Sequence, residues 1–427
     1  MINRCFARVI LGFAALVSAS VAMAAPEAPM TLITAVRILD VRAGRYLDNG
    51  GVLITGERIT SVGPANELRA RYPQAKVIDL GSRTLLPGLI DAHTHVMARI
   101  PDTDDGYVVN LATKSQAMRA LEGAANARAI LHSGFTTIRD VESEGSGCAD
   151  AALRDAVRSG LVEGPRMKVA TRGIAAVGQY LPFGVSTDLK DFPTGAQMVS
   201  GVDEVRRAAR EQIGCGADQL KIYVDWRYPT FTLDEIKAAV DEAHKAGLKI
   251  AAHATRPEGI ANAVEAGVDS IEHGWRARPD TLAAMKAKGI FWVPTLTAPD
   301  RQIEAGLNDP AQREKLLDVQ QSMRATVATA RHLGVKVALG FDASSPETQG
   351  HSADELTTMV KYGFTPLDAI RAATLGGAEL YGEKIGALEA GDYADMVAVD
   401  GDPLLDVGVL GKISFVMKSG EVIRNDP

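Results

Sequence analysis

The chain has 427 residues, 46 Lys and Arg against 53 Asp and Glu, a formal net charge of −7, 46% hydrophobic residues and only 5% aromatics. That length exceeds a domain of roughly 100–200 residues, so several domains or one barrel-sized unit is expected. The acidic balance lacks the basic footprint of a nucleic-acid binder, 3 cysteines cannot build a disulfide scaffold, and the composition excludes disorder, collagen and a polytopic membrane protein.

Residues 1–24 read as an address rather than as fold. Arg4 and Arg8 precede an apolar run from Val9 to about Val21, and Ala22-Met23-Ala24 is a small-x-small pattern. This is the layout of a secretory signal peptide. The run falls short of the roughly 20 apolar residues that span a bilayer. The expectation is a secreted protein, periplasmic or extracellular, with no membrane attachment after cleavage. Cleavage removes Cys5 and leaves Cys148 and Cys215.

From Thr31 to Leu80, β-branched segments bounded by Gly, Asn and Pro predict short strands. After Pro87-Gly88 the pattern changes. Eight short apolar runs, at 89–96, 135–141, 166–173, 219–225, 249–255, 270–274, 290–296 and 335–343, alternate with Ala-rich segments of helical spacing. Several of these segments end in Gly, the residue that suits a helix C-terminus. Such repeats predict an α/β fold, a (β/α)8 TIM barrel of the usual ~250 residues. An open doubly wound sheet would favour a Gly-rich phosphate loop after its first strand, and the sequence has none there. The tail returns to strands at 384–400 and 412–425. The predicted division is a signal peptide at 1–24, a barrel at 87–383, and a small composite β-sandwich from 25–86 with 384–427.

Active groups of such barrels sit at the C-terminal ends of the strands. The first run ends in His93-Thr94-His95, and residues i and i+2 of a strand face the same side. The fourth run carries Lys221, the fifth ends in His253, the sixth in His273 and the eighth in Asp342. Singly, each reads equally well as a packed histidine, an ion-paired lysine or a helix-capping aspartate. Together, four of the chain's 8 histidines fall at one rim. Imidazoles and a carboxylate without thiolates suit Zn²⁺, Mn²⁺, Co²⁺ or Ni²⁺. A buried neutral lysine amine could also take up CO₂ as a carbamate, an anionic bridge between cations.

The segment Pro87-Gly88-Leu89-Ile90-Asp91-Ala92-His93-Thr94-His95, followed by Lys, His, His and Asp at successive strand ends, resembles the metal-dependent amidohydrolase superfamily. The tail Gly386-Ala387-Leu388-Glu389-Ala390-Gly391-Asp392-Tyr393-Ala394-Asp395 is similar too. Thr137-Ile138-Arg139-Asp140, Lys221-Ile222-Tyr223, Ala252-His253-Ala254 and Ile271-Glu272-His273-Gly274 resemble the imidazolonepropionase-like branch, which holds Xaa-Pro dipeptidases and ochratoxin-degrading amidases. Val224-Asp225-Trp226 stands where that branch often carries a Gly-rich linker.

The resemblance implies an enzyme with two divalent metal ions, Zn²⁺ being the expected one. It implies that His93, His95 and Asp342 hold the more buried ion, that His253 and His273 hold the second, and that N6-carboxylated Lys221 bridges them. Asp342 would shuttle the proton of a metal-bridged hydroxide, with His273 beside it in the catalytic set. The implied substrate is a dipeptide or N-acyl amino acid with Pro or a hydrophobic residue at its carboxy end, including N-aroyl-phenylalanine amides of the ochratoxin A type. The implied assembly is a homo-oligomer, an octamer being one such state. Two readings compete: a cyclic amide hydrolase or deaminase of the imidazolonepropionase type, and a non-catalytic barrel that binds rather than cleaves.

Tyr223 lies two residues from Lys221 and shares its face, which makes it a candidate donor to the oxyanion or the substrate carboxylate. His351, after the eighth run, is a candidate for the substrate carboxylate as well. The connection from Ile174 to Gly201 is long and holds Tyr180, Leu181, Phe183 and Phe192, and Trp226 and Tyr228 follow the fourth run. Such clustering predicts a partly apolar pocket, or else loops packed on the barrel or on another subunit. Cys148 follows the second run, near the catalytic rim. Cys215 ends the helix before the fourth run, at the opposite rim. A disulfide needs Cα atoms within about 7 Å, so two free thiols are expected.

Overall fold

The computed structural model describes residues 29–427 apart from 102–104, 181–184, 187, 190–191, 227–229 and 307–309. The segment 1–24, read as a signal peptide, therefore lies outside the described residues, as do Leu181, Phe183 and Tyr228. Among the described residues no helix is long and apolar enough to cross a membrane.

The two chain ends meet in one eight-stranded sheet. Met30–Asp40, Arg45–Thr55 and Arg58–Pro64 form an antiparallel meander. Lys76–Asp79 and Thr84–Pro87 run parallel to the first strand. Met396–Val399 pairs antiparallel with Thr84–Pro87, and Phe415–Lys418 and Glu421–Asn425 complete the sheet. The first strand is buried on both faces because successive side chains point opposite ways. Leu32 packs with Leu53, Leu68 and Ala75 under the helix Ala65–Arg71. Ile33 joins Val52, Leu85, Met396 and Phe415 on the other face. Residues from both ends of the chain thus share one apolar core, each aliphatic side chain contributing about 1.5–3 kcal/mol when fully buried. This sheet hands over to the following strands at Gly88, whose amide donates to the Asp395 carbonyl at 2.9 Å.

The middle of the chain supplies parallel strands in two arcs. One holds Leu89–Thr94, Phe135–Asp140 and Arg166–Val169. The other runs through Ile174–Ala176, Gln219–Tyr223, Lys249–Ala254, Ser270–His273 and Phe291–Val293, with Gln197–Val199 at its edge. The eighth predicted run threads between the arcs. The Trp292 amide donates to the Lys336 carbonyl at 2.8 Å, and the Ala92 amide to the Leu339 carbonyl at 2.7 Å. Buried β-branched runs of this kind need cover on both faces, and amphipathic helices provide it. Their ends follow the local code. Thr232 and Glu235 form a reciprocal cap, Pro257 and Pro279 open helices, and Gly267 and Gly289 close them in the left-handed conformation.

The expectation of two free thiols is wrong: Cys148 and Cys215 form a disulfide, with Cα atoms 6.0 Å apart. The error lay in treating opposite rims as opposite heights. Strands in a curved parallel sheet are staggered. The Asp218 amide donates to the Val169 carbonyl at 2.8 Å, and Gln219 Nε2 to the Asp140 carbonyl at 3.1 Å. The start of Gln219–Tyr223 therefore stands level with the ends of its two predecessors. That lifts Cys215, at the end of helix Val202–Gly214, to Cys148, which opens helix Ala149–Arg158. Arg154 Nη1 ties the same corner to the Gly216 carbonyl and Asp218 Oδ2, both at 2.6 Å. For residues 67 apart in sequence, replacing both cysteines by serine is expected to cost about 4 kcal/mol through the freer unfolded chain. Denaturant unfolding of the oxidised wild type against the double variant measures it, and equal midpoints would exclude a stabilising bridge.

Candidate active site

His93 lies in strand Leu89–Thr94 and His95 just beyond it, so both imidazoles leave the strand on one side. Their Nε2 atoms face each other at 3.3 Å. Asp342 Oδ1 closes the group, 3.2 Å from His95 Nε2 and 3.6 Å from His93 Nε2. The outer nitrogens face carboxylates: His93 Nδ1 is hydrogen-bonded to Glu272 Oε2 at 2.7 Å, and His95 Nδ1 lies 2.7 Å from Glu144 Oε1. A carboxylate on Nδ1 holds the proton there and turns the Nε2 lone pair inward. Two inward lone pairs and a carboxylate oxygen repel one another unless a cation stands among them. Donor atoms within 4.8 Å of one another, all buried or partly buried, fit a divalent metal ion.

The second pair sits beside the first. The rings of His253 and His273 are 4.5 Å apart, and His273 is 5.1 Å from the ring of His93. His273 Nδ1 is 2.7 Å from Thr295 Oγ1 and 3.9 Å from Asp342 Oδ2. Lys221 is wholly buried, with no carboxylate at ion-pairing distance among the described residues. Its strand pairs directly with Lys249–Ala254, which carries His253, and its charge lowers the pKa values of His93, His253 and His273. Burial in turn pulls the Lys221 amine below its ordinary pKa, toward the neutral form that carbamate formation requires. Burial, then the Lys221 charge, hold His93 at about 4. Burial also holds His273 at about 3, the Asp342 charge opposing it. For Asp342 burial acts upward, but the charges and hydrogen bonds of His93 and His95 prevail and hold it well below the carboxylate range. The structure thus groups His93, His95 and Asp342 within 4.8 Å and sets the rings of His273 and His253 beside them.

Residues 84–424 match the amidohydrolase family. The chain belongs to that family. Residues 50–75 also match the imidazolonepropionase-like composite domain of bacteria. The amidohydrolase is 29% identical over 439 residues to an ochratoxinase of Aspergillus niger, covering 93% of this chain and 87% of that one. It is similar to a crystal structure of a Xaa-Pro dipeptidase with methionine bound in its active site: TM-score 0.82, 32% identity, 93% of this chain and 100% of that one. The crystal structure of the A. niger ochratoxinase gives a TM-score of 0.82 at 27% identity, over 93% of this chain and 96% of that one. The amidohydrolase is accordingly a hydrolase acting on C–N bonds, of a family that is generally metal-dependent.

Two of the predicted residues take other places. The Tyr223 hydroxyl donates to Glu142 Oε2, so it is committed to a carboxylate. His351 is exposed and lines an outer groove of about 550 Å³ with His132, Lys412, Arg424 and Asp426. That groove lies between the end of helix Gln116–His132 and the small sheet, and the structure does not bring His351 to the metal centre.

Sequence reasoning assigned no roles to the carboxylates behind the ligands. Glu272 bonds both His93 and Arg139, whose Nη2 donates to Glu272 Oε1 at 2.6 Å. Burial works against the Glu272 carboxylate, but Arg139 and His93 prevail and hold it well below the usual range. The available signal was an acid and an arginine inside apolar strand runs, which must pair if buried. Strand alternation misleads here. Register places Glu272 beside inward-facing His253 and His273 beside outward-facing Ala254. His273 has φ 68°, and Asp342 has φ 64°. At His273 this left-handed backbone, costly for such a residue, swings the side chain inward where alternation would send it out.

Glu144 offers a direct test of an orienting group. Glu144→Gln is expected to lower metal affinity about 10–100-fold by releasing the His95 tautomer. Titration of the metal-free protein with Zn²⁺ measures this, and unchanged affinity would make the Glu144 contact incidental.

Proposed function

We propose that this amidohydrolase cleaves the amide bond of dipeptides or N-acyl amino acids that end in Pro or a hydrophobic residue, N-aroyl-phenylalanine amides among them. The observation that carries the reading is a cation-fitting cluster of His93, His95 and Asp342 backed by Lys221, His253 and His273, with aromatic side chains against it. Trp226 stacks on His253 at 4.7 Å, and Tyr223 lies 5.3 Å from the same ring. The relatives support the choice: one is an ochratoxinase, another a Xaa-Pro dipeptidase, and a prolidase relative is complexed with N-methylphosphonate-L-proline.

In this reading the two arcs are the wall of one (β/α)8 barrel. His93, His95 and Asp342 would hold one Zn²⁺, His253 and His273 would hold a second, and Lys221, once N6-carboxylated, would supply an anionic ligand. Such ions polarise an amide carbonyl and acidify water. Asp342 Oδ1 accepts a proton on the inner side of the cleft and returns it to the leaving amine. Glu272 and Glu144 keep the imidazoles from turning. The protein is exported, reads no nucleic acid, and works as a homo-oligomer. The disulfide supports an oxidising compartment.

Metal analysis joined to a substrate panel tests the reading. The expected result is two equivalents of zinc per chain and release of the carboxy-terminal residue from Xaa-Pro, Xaa-Phe or N-aroyl-phenylalanine amides. Ring opening of cyclic amides with no dipeptide cleavage would place the enzyme with the imidazolonepropionases instead. Zinc uptake without turnover of either class would favour a binding protein.

A further inference from the structure

Glu142 is a buried acid that the proposed chemistry does not use. It follows strand Phe135–Asp140 and is 0% exposed. Oε1 accepts the Tyr180 hydroxyl at 2.6 Å, and Oε2 accepts the Tyr223 hydroxyl. Tyr180 comes from the long connection after the third predicted run, and Tyr223 ends strand Gln219–Tyr223. One carboxylate therefore ties the strand end at Tyr223 to Tyr180, farther along the connection whose Ala175 already pairs with Tyr223.

The rings follow the hydroxyls. Tyr180 and Tyr223 are 4.6 Å apart, and Trp226 meets them edge-on at 5.4 and 5.6 Å. Trp226 in turn stacks on His253. The chain leaves room for the acid at two glycines. A Cβ at Gly195 would fall 1.5 Å from Glu142 Oε1, and one at Gly173 would fall 2.6 Å from the Tyr223 ring and 3.5 Å from Glu142 Oε2. Any other residue at Gly195 would displace the carboxylate. With both phenols turned to Glu142, ring carbon rather than hydroxyl forms the aromatic wall beside His253.

We infer that Glu142 is a positioning residue for substrate selection: by holding the Tyr180 and Tyr223 hydroxyls together it sets the Tyr180–Tyr223–Trp226 wall as a slot for a flat apolar side chain of the scissile substrate. The inference rests on the amide-hydrolase reading above. It makes the wall a specificity element and removes the Tyr223 hydroxyl from the oxyanion.

The test compares wild type, Glu142→Ala and Tyr223→Phe, each metal-loaded, on Ala-Phe and Ala-Gly. Glu142→Ala is expected to raise KM for Ala-Phe at least about 10-fold, with a far smaller change for Ala-Gly, because apolar fit discriminates by this order. Tyr223→Phe breaks the same tie and moves KM in the same direction. An oxyanion donor would behave differently, its loss lowering kcat on both substrates about 10²–10³-fold, and that outcome would overturn the inference. Equal KM changes on the two dipeptides would overturn it as well. Near-UV circular dichroism of the metal-free proteins gives a readout without turnover. The aromatic signal is expected to weaken in Glu142→Ala, and a spectrum identical to wild type sinks the clamp. If the wild type cleaves no dipeptide, the proposed function fails on that result alone, while the spectra still decide for or against the clamp. Should Glu142→Ala not fold, Glu142→Gln keeps one strong acceptor, and an intermediate Phe/Gly selectivity is expected from it. Wild-type selectivity in Glu142→Gln would count against the clamp.

Discussion

Asp342→Asn is expected to lower kcat about 10³-fold or more, the scale of losing a positioned proton acceptor. The substitution is nearly isosteric, so it keeps the left-handed turn at φ 64° that aims the side chain at His93, His95 and His273. Asparagine tolerates that backbone region better than most residues. The amide retains an oxygen for a cation but cannot take up a proton near neutral pH. Steady-state kinetics with metal analysis on the same sample separates the two roles. Zinc retained with turnover lost assigns Asp342 to proton transfer. Turnover near wild type would remove it from that role, and loss of zinc and turnover together would make it chiefly a ligand.

Lys221→Ala is expected to abolish turnover and to drop metal content below two equivalents per chain together. The competing role for a buried lysine is a charge partner in the core. Lys221 is wholly buried in the strand that pairs with Lys249–Ala254, and among the described residues no carboxylate pairs with it directly. An isolated buried ammonium is costly, and a carbamate between two cations resolves that cost. Short carboxylates such as propionate, added to the variant, should restore part of the metal content by filling the vacated volume with an anion. A fully active, metal-replete Lys221→Ala protein would refute the bridge. A destabilised variant that still binds two zinc ions would make Lys221 a core residue.

Much of the candidate site was legible because it rests on local rules. The spacing of His93 and His95 needs only strand periodicity. His253, His273 and Asp342 needed only their places at the ends of apolar runs, and Lys221 its place within one. The same local rules missed Glu272 and Glu144, because an acid's partner 179 residues away cannot be seen from one strand. They also sent Tyr223 to the substrate, since a shared face says nothing about which acceptor a phenol meets. His351 lies in an outer groove rather than beside His93 and His95 for a related reason. Residence in a loop after the eighth run does not fix which side of that loop a side chain takes.

By itself the sequence determined which elements form and in what order, and which residue types stand at their ends. Apolar runs, helix caps and Gly stops act over a few residues, where chain connectivity leaves few alternatives. Only the tertiary structure decided what depends on stagger and on pairs distant in sequence. Strand stagger brought Cys148 to Cys215 across 67 residues. A left-handed turn at His273 reversed the alternation that would have sent it outward. Packing of the long connection against strand Gln219–Tyr223 placed Glu142 between two tyrosines. Each depends on where separate segments meet in space, a quantity no local periodicity encodes.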